Sequence, residues 1–315
     1  MLKCLIVDPM HESLFSMLQP LGWTMDYQPN ITRDEIRQRH LGYDGLIIRS
    51  KTIVNRDLLG DAPTVRFIGR AGAGLDNLDL PFLAEKNIAV IHAAEGNRDA
   101  VGEFSIGILL ALLRNIPRAH QEVINSIWLR ESNRGEEIMD KTVSIIGFGN
   151  MGKAFARRLA GFGCKILVYD KYKRGFTNEL WREADMQQIF DETDILSLHI
   201  PLTDETRSMV NTRYLSQFKK KIILLNTARG EIIPLSDLAE AFSMGFVRGA
   251  ALDVLENEKI NELTPMQREA FRNLISGGNV IFTPHIAGWT FESHIKINVA
   301  LVDKIKALNL SPMRP

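Results

Sequence analysis

Short apolar runs rich in β-branched residues alternate with helix-length amphipathic stretches along most of the chain. The runs at 2–8, 45–49, 65–69, 89–92, 142–147, 165–170, 195–200, 221–226 and 280–283 read as strands. Segments such as 33–39, 56–59, 153–161 and 235–242 carry the spacing of amphipathic helices. Strands that are apolar on both faces and separated by helices belong to a parallel sheet covered on each side. The pattern therefore predicts a doubly wound α/β architecture. Two longer helical stretches, 101–114 and 291–308, read as crossovers between domains.

One turn carries chemistry. In KTVSIIGFGNMGKAFARRLAGFGCKILVYD an apolar strand runs into Gly147-x-Gly149-x-x-Gly152 and a helix, and the next strand ends in Asp170. The glycines of such a turn allow a tight bend, close approach of backbone to a pyrophosphate, and tight packing of helix on strand. The helix N-terminus then turns its amides and dipole toward the phosphates. Asp170, placed to accept from an adenosine ribose diol, favours NAD, because its carboxylate repels a 2′-phosphate. Lys171, Lys173 and Arg174 just beyond it blur that preference and read as a solvated turn.

The fingerprint begins near residue 142, so an α/β unit precedes it. The expected organisation is two doubly wound parallel-sheet domains. A dinucleotide-binding Rossmann domain (99–289) is inserted in a flavodoxin-like substrate domain built from both chain ends (1–98 and 290–315).

Composition narrows the function classes. Lys plus Arg and Asp plus Glu both total 38, so no net charge draws the chain to nucleic acid or an anionic membrane surface. Cys4 and Cys164 sit in no CxxC and suit a reducing compartment, so a cytoplasmic location is expected. The most apolar run, 104–113, is about half the ~20 residues of a membrane span. No His/Cys spacing suggests zinc, and no GxSxG elbow suggests a hydrolase.

Four later segments fall at strand ends, where open α/β sheets bind ligands: DILSLHIPLTDET, KIILLNTARGEI, GAALDVLENEK and VIFTPHIAGWT. Arg229 can hold a carboxylate with its planar fork and polarise the adjacent carbonyl. His285 suits the acid/base that exchanges a hydroxyl proton as hydride leaves carbon. A carboxylate beside that imidazole would orient it, and spacing leaves Glu256 and Glu258 both open. Asp253 is placed to reach the carboxamide end of a nicotinamide. Of the other histidines, His92, His120, His199 and His294 read as structural. With a nucleotide site and no metal cluster, hydride transfer assisted by a general acid/base is the economical reaction class.

FIGRAGAGLDNLDL, NRDAVGEFSIGILLALLRNIP, GFGNMG…YD, HIPLTDET, NTARGEII, ALDVLENE and TPHIAG, in this order over nearly the whole chain, resemble the D-isomer-specific 2-hydroxyacid dehydrogenases, in particular their phosphoglycerate dehydrogenase branch. The resemblance chooses Glu258 as the partner of His285, with Arg229 binding substrate. It implies Asn150 and Met151 at the pyrophosphate, Asp170 at the ribose, Pro201 beside the adenine, and Thr227, Asp253 and Gly288 along the nicotinamide. It implies that the amides of Ala73 and Gly74 hold the substrate carboxylate. Arg49 and Ser50 match positions near the phosphate of 3-phosphoglycerate or 3-phosphohydroxypyruvate, the substrate pair of serine biosynthesis, and Asn97 matches another position of the substrate pocket. A hinged cleft and a homodimer follow from the same likeness.

Departures are Lys259 where a proline is usual, Pro234 where an aspartate is common, and bulky Trp289 where phosphoglycerate dehydrogenases have a small residue. Trp289 would reshape the pocket if it points into it. The chain ends at Pro315, so no serine feedback through a C-terminal regulatory domain is expected; inhibition by micromolar serine would contradict this. The alternatives are a hydroxypyruvate/glyoxylate-type reductase and a non-catalytic NAD(H)-sensing corepressor. The intact Arg/Glu/His set disfavours the corepressor, and measurable turnover would exclude it.

Overall fold

Alternate residues of the central strands enter opposite apolar cores, which is why these runs are apolar almost throughout, with Ser144 and Ser197 as buried exceptions. The computed structural model describes residues 1–277 and 279–311; the last four residues of the expected first domain, 312–315, lie outside the described residues. The chain divides into two units, Met1–Arg98 with Trp289–Pro315, and Asp99–Gly288.

The first unit holds β1 (Leu2–Ile6), β2 (Trp23–Tyr27), β3 (Gly45–Ile48), β4 (Phe67–Arg70) and β5 (Ala89–His92). They form one parallel sheet of order β2-β1-β3-β4-β5, the flavodoxin-like arrangement. Leu5, Leu46, Ile48 and Ile68 face one core, and Cys4, Ile6, Ile47 and Phe67 the other. The second of these cores is completed by Ile297, Leu301, Val302 and Ile305 of the helix Phe291–Ala307. The end of the chain therefore covers a sheet made by its beginning. That helix starts at a capping box, with Thr290 accepting from the Ser293 amide at 3.0 Å.

The second unit contains β6 (Thr142–Ile146), β7 (Lys165–Tyr169), β8 (Arg182–Glu183), β9 (Ile195–Leu198), β10 (Ile222–Asn226), β11 (Val247–Leu252) and β12 (Val280–Phe282). Their order is β12-β11-β10-β9-β6-β7-β8, again all parallel. In β10, Ile222 and Leu224 enter one core while Ile223 and Leu225 enter the other. Among the described residues no single helix is long and apolar enough to cross a membrane.

Most element ends shift by one to three residues from the sequence reading, and two boundaries differ in a way that bears on packing. The long helix begins at Ala94 rather than 101 and runs to Leu113. Gly96, in the first turn of that helix, serves packing. A Cβ on it would lie 2.4 Å from the backbone of Ile297, so the two helices touch through the missing side chain. Trp289, expected at the end of the second domain, falls in the first unit, where its indole lies against Arg49.

Candidate active site

Register brings the candidate residues of the second unit into one row. Tyr169 pairs with Ile146, Ile146 with Leu198, Leu198 with Asn226, Asn226 with Leu252, and Leu252 with Phe282. Six neighbouring strands thus end level. The loops that follow carry Asp170, Gly147–Gly152, Pro201, Thr227 and Arg229, Asp253 and Glu258, and His285 and Gly288. This is the carboxyl edge of a parallel sheet, on both sides of the point where strand order reverses, and such an edge is where α/β sheets take ligands.

The glycine turn has the shape a pyrophosphate needs. Gly147 has φ 96°, and a Cβ there would approach the His199 carbonyl oxygen to 2.5 Å. A Cβ on Gly152 would meet the Gly147 oxygen at 2.0 Å, whereas Gly149 faces open space. The helix Asn150–Leu159 starts at Gly149 with no side chain capping its first amides, so Asn150 and Met151 sit where those donors remain for an anion. His199, behind the turn, is structural. Its ring is within 2.8 Å of Ser197 Oγ, and burial lowers its pKa to about 4.

Asp170 Oδ2 accepts from the Phe148 amide at 2.8 Å and Oδ1 from the amides of Tyr172 and Lys173 at 3.0 Å. Burial raises its pKa, but these amides and the Lys173 charge outweigh it and hold the group below the usual carboxylate range. The carboxylate is anchored and keeps lone pairs for a ribose diol. The three basic residues beyond it are engaged. Lys171 pairs with Glu205 at 2.5 Å, Lys173 donates to the Phe148 carbonyl at 2.7 Å, and Arg174 to the Asp170 and Lys173 carbonyls. The three basic side chains are thus tied to Glu205 and to backbone carbonyls, and the ribose position presents the Asp170 carboxylate. Pro201 is exposed in its loop, its carbonyl accepting from Thr206 at 2.7 Å. Thr227 lies 3.4 Å from Ser105 Oγ.

The reactive trio follows. His285 Nδ1 is 2.8 Å from Glu258 Oε1, both side chains being about half exposed. Glu256, the competitor by spacing, is used elsewhere: its Oε2 accepts from the Leu235 amide at 3.0 Å, at the start of the helix Leu235–Ser243. His285 has φ 55°, a left-handed backbone that a non-glycine residue holds only where its surroundings impose it. Asp253 imposes it. Its carboxylate is buried and accepts from Thr283 Oγ1 at 2.6 Å and from the amides of Ile286 at 3.0 Å and Ala287 at 2.7 Å, while its carbonyl accepts from the His285 amide at 2.8 Å. The structure shows Asp253 holding the histidine loop, a role the sequence reading did not give it.

Arg229 lies in a turn set by Asn226, whose side chain donates to the Arg229 carbonyl at 2.9 Å and accepts from the Ala228 amide at 3.0 Å. Gly230 presses that turn against the Glu258 loop. A Cβ on it would fall 1.9 Å from the Leu255 carbonyl, so the two loops meet backbone to backbone. Arg229, Glu258 and His285 therefore leave three adjacent strands at one edge.

In the first unit the candidates also follow strand ends. Arg49 succeeds β3 and Ser50, exposed, follows it; Ala73 and Gly74 lie in the half-buried loop after β4. Asn97 sits in the first turns of the helix after β5, and its Oδ1 is buried with no hydrogen-bond partner. Trp289 and Asp8 were not singled out as partners of Arg49, yet the indole stacks on the guanidinium at 4.7 Å and the Asp8 carboxylate accepts from the Arg49 amide. Among the described residues no cluster of His, Cys, Asp or Glu could hold a metal ion.

Residues 106–287 match the family model for the D-isomer specific 2-hydroxyacid dehydrogenase NAD binding domain. Over 309 residues the chain is 33% identical to a D-3-phosphoglycerate dehydrogenase of Methanocaldococcus jannaschii, covering 97% of this chain and 57% of that protein. It is 36% identical over 298 residues to a hydroxypyruvate reductase of Thermotoga maritima, covering 95% of each. The chain thus spans little more than half of the first relative and nearly all of the second. Among solved structures, a D-lactate dehydrogenase from Aquifex aeolicus complexed with NAD and lactic acid superposes with a TM-score of 0.83 at 26% identity, covering 97% of this chain and 95% of that one.

Proposed function

Because the chain belongs to the D-isomer-specific 2-hydroxyacid dehydrogenase family, and its second unit is that family's NAD-binding domain, we propose that it interconverts a D-2-hydroxy acid and its 2-keto acid. The observation that carries this reading is the 2.8 Å contact of His285 with Glu258 at the sheet edge that also bears the glycine turn. Bound along that edge, NAD would supply or take up the hydride. His285 would hold or release the hydroxyl proton, Glu258 would orient and electrostatically support its ring, and Arg229 would bind the acid and polarise its carbonyl. Ala73 and Gly74 would present amides to the carboxylate.

For the substrate we propose the 3-phosphoglycerate/3-phosphohydroxypyruvate pair, with Arg49, Ser50 and Asn97 around the phosphate. An arginine fork and a hydroxyl suit a phosphate dianion. The second reading is a hydroxypyruvate-type reductase, favoured by the full-length likeness to the Thermotoga protein. Steady-state rates on phosphohydroxypyruvate, hydroxypyruvate, glyoxylate and pyruvate separate them. Arg49→Ala is expected to raise KM for phosphohydroxypyruvate about tenfold or more, well beyond any change with hydroxypyruvate. Equal effects on both acids would remove Arg49 from phosphate recognition.

A homodimer also belongs to the proposal. The helix Ile116–Ile124 and the loop after it expose Val123, Ile124, Ile127, Leu129 and Trp128, the last 82% exposed, an apolar surface of the kind that partners cover. Trp128→Asp is expected to shift the mass measured by light scattering from two chains to one. An unchanged mass would place the interface elsewhere.

A further inference from the structure

The basic residues after Asp170 are held in two different ways. Lys173 Nζ donates to the Phe148 carbonyl at 2.7 Å, and Arg174 donates to the carbonyls of Asp170 and Lys173, with Glu183 3.7 Å from its Nε. Both are bound into the turn that follows β7. Lys171 leaves that turn. Its Nζ crosses to the loop after β9 and meets the two oxygens of Glu205 at 2.6 and 2.5 Å, with the Tyr172 ring centroid 5.6 Å away. In the sheet, β6 and its glycine turn lie between β7 and β9, so the pair spans the dinucleotide site. Both side chains are about half exposed, and the hydrogen bond to Glu205 holds the Lys171 ammonium above its ordinary pKa.

The loop that carries Glu205 is shaped by other groups. Thr206 Oγ1 accepts from the Thr203 amide at 2.8 Å and donates to the Pro201 carbonyl at 2.7 Å, while the Arg207 amide donates to the Thr203 carbonyl at 2.9 Å. The glutamate serves the lysine rather than the turn. Lys171 matters because of where it is rooted. It is the residue after Asp170, whose carboxylate is fixed by three amides at the ribose position, and its ammonium sits on a flexible stem. A 2′-phosphate on that ribose is repelled by Asp170, and a nearby ammonium is the group that would offset the repulsion.

We propose that Glu205 is a positioning residue for cofactor specificity: by holding Lys171 on the far loop, it denies the 2′-phosphate of NADP a counter-charge and sharpens the preference for NAD. The inference rests on the dinucleotide reading of the glycine turn and is independent of which acid is the substrate. Two carboxylates divide the selection. Asp170 repels the phosphate directly, and Glu205 acts through Lys171. An exposed ion pair restrains a lysine by a factor of at most about five, which sets the size of the effect.

Fluorescence titration of NADPH and of NADH, without substrate and at one fixed ionic strength, tests this. Glu205→Gln keeps the size of the side chain and removes the charge that holds Lys171. It should tighten NADPH about fivefold and leave NADH within about twofold of wild type. Lys171→Ala should bring no such gain. Lys171→Ala/Glu205→Gln should bind NADPH no better than Lys171→Ala alone, since no lysine is left to release. An unchanged NADPH constant in Glu205→Gln overturns the proposal. A gain of equal size with and without Lys171 also overturns it, because Glu205 would then act by direct repulsion. Weaker binding of both dinucleotides in Glu205→Gln would make the glutamate a support of its loop and sink the proposal as well. A wild-type protein that binds neither dinucleotide would overturn the reading of the glycine turn, and this inference with it.

Discussion

Replacing His285 by alanine is expected to lower kcat by the ~10²–10⁴-fold that a lost general acid/base removes, with NADH affinity close to wild type. The split follows from position. The ring nitrogen not facing Glu258 is the one available to a substrate hydroxyl, while the glycine turn and Asp170 lie four and five strands away in the row. Glu258→Gln should lose less, because the ring keeps a hydrogen-bond partner but not the charge that supports its protonated form. The double variant should be no slower than His285→Ala alone, since an orienting group has nothing left to orient. Stopped-flow hydride transfer with fluorescence titration of NADH reads all three. Near-normal turnover in His285→Ala, or additive losses in the double variant, would dismantle the assignment.

How much of this was legible in the chain depended on what each residue does. Parallel strands such as β9 and β10 announce themselves because both faces are buried and apolar residues follow one another, with only Ser197 inside β9 and Asn226 closing β10. β11 did not: VRGAAL is built of small residues with weak strand preference, and only its end, at Leu252, was read from the sequence. Gly249 explains part of that choice, since a Cβ there would lie 2.6 Å from the Asn279 side chain. Two-residue β8 is too short to stand out, and edge strand β2 alternates Trp23, Met25 and Tyr27 with polar residues rather than running apolar throughout. Residue types were legible at the site where chemistry demands them, so Arg229, His285 and the glycine turn could be picked out locally. Partnerships were not. The choice of Glu258 over Glu256 rests on which carboxylate reaches an imidazole 27 residues on and which caps a helix 21 residues back, and spacing encodes neither. The Trp289–Arg49 stack joins residues 240 positions apart through the return of the chain to its first sheet.

The second large effect is expected at Asp253, for reasons of structure rather than proton transfer. Asp253→Ala strips the acceptor from two loop amides and the Thr283 hydroxyl in a buried place. At about 1–3 kcal/mol for each orphaned group, relieved in part by water entering the gap, the loss should reach roughly 3 kcal/mol or more. The left-handed backbone at His285 would then relax toward ordinary conformations, because the carboxylate that over-determines it is gone. A displacement of about an ångström at a proton-transfer group is enough to cost ~10²-fold, so turnover should fall at least that far even in molecules that remain folded. Asp253→Asn keeps one side-chain oxygen and should recover much of the stability. Denaturant unfolding beside single-turnover rates on the folded fraction checks both parts. An Asp253→Ala protein that is as stable and as fast as wild type would mean that the His285 loop holds its shape by other contacts, and the mechanical role given to the aspartate would fall.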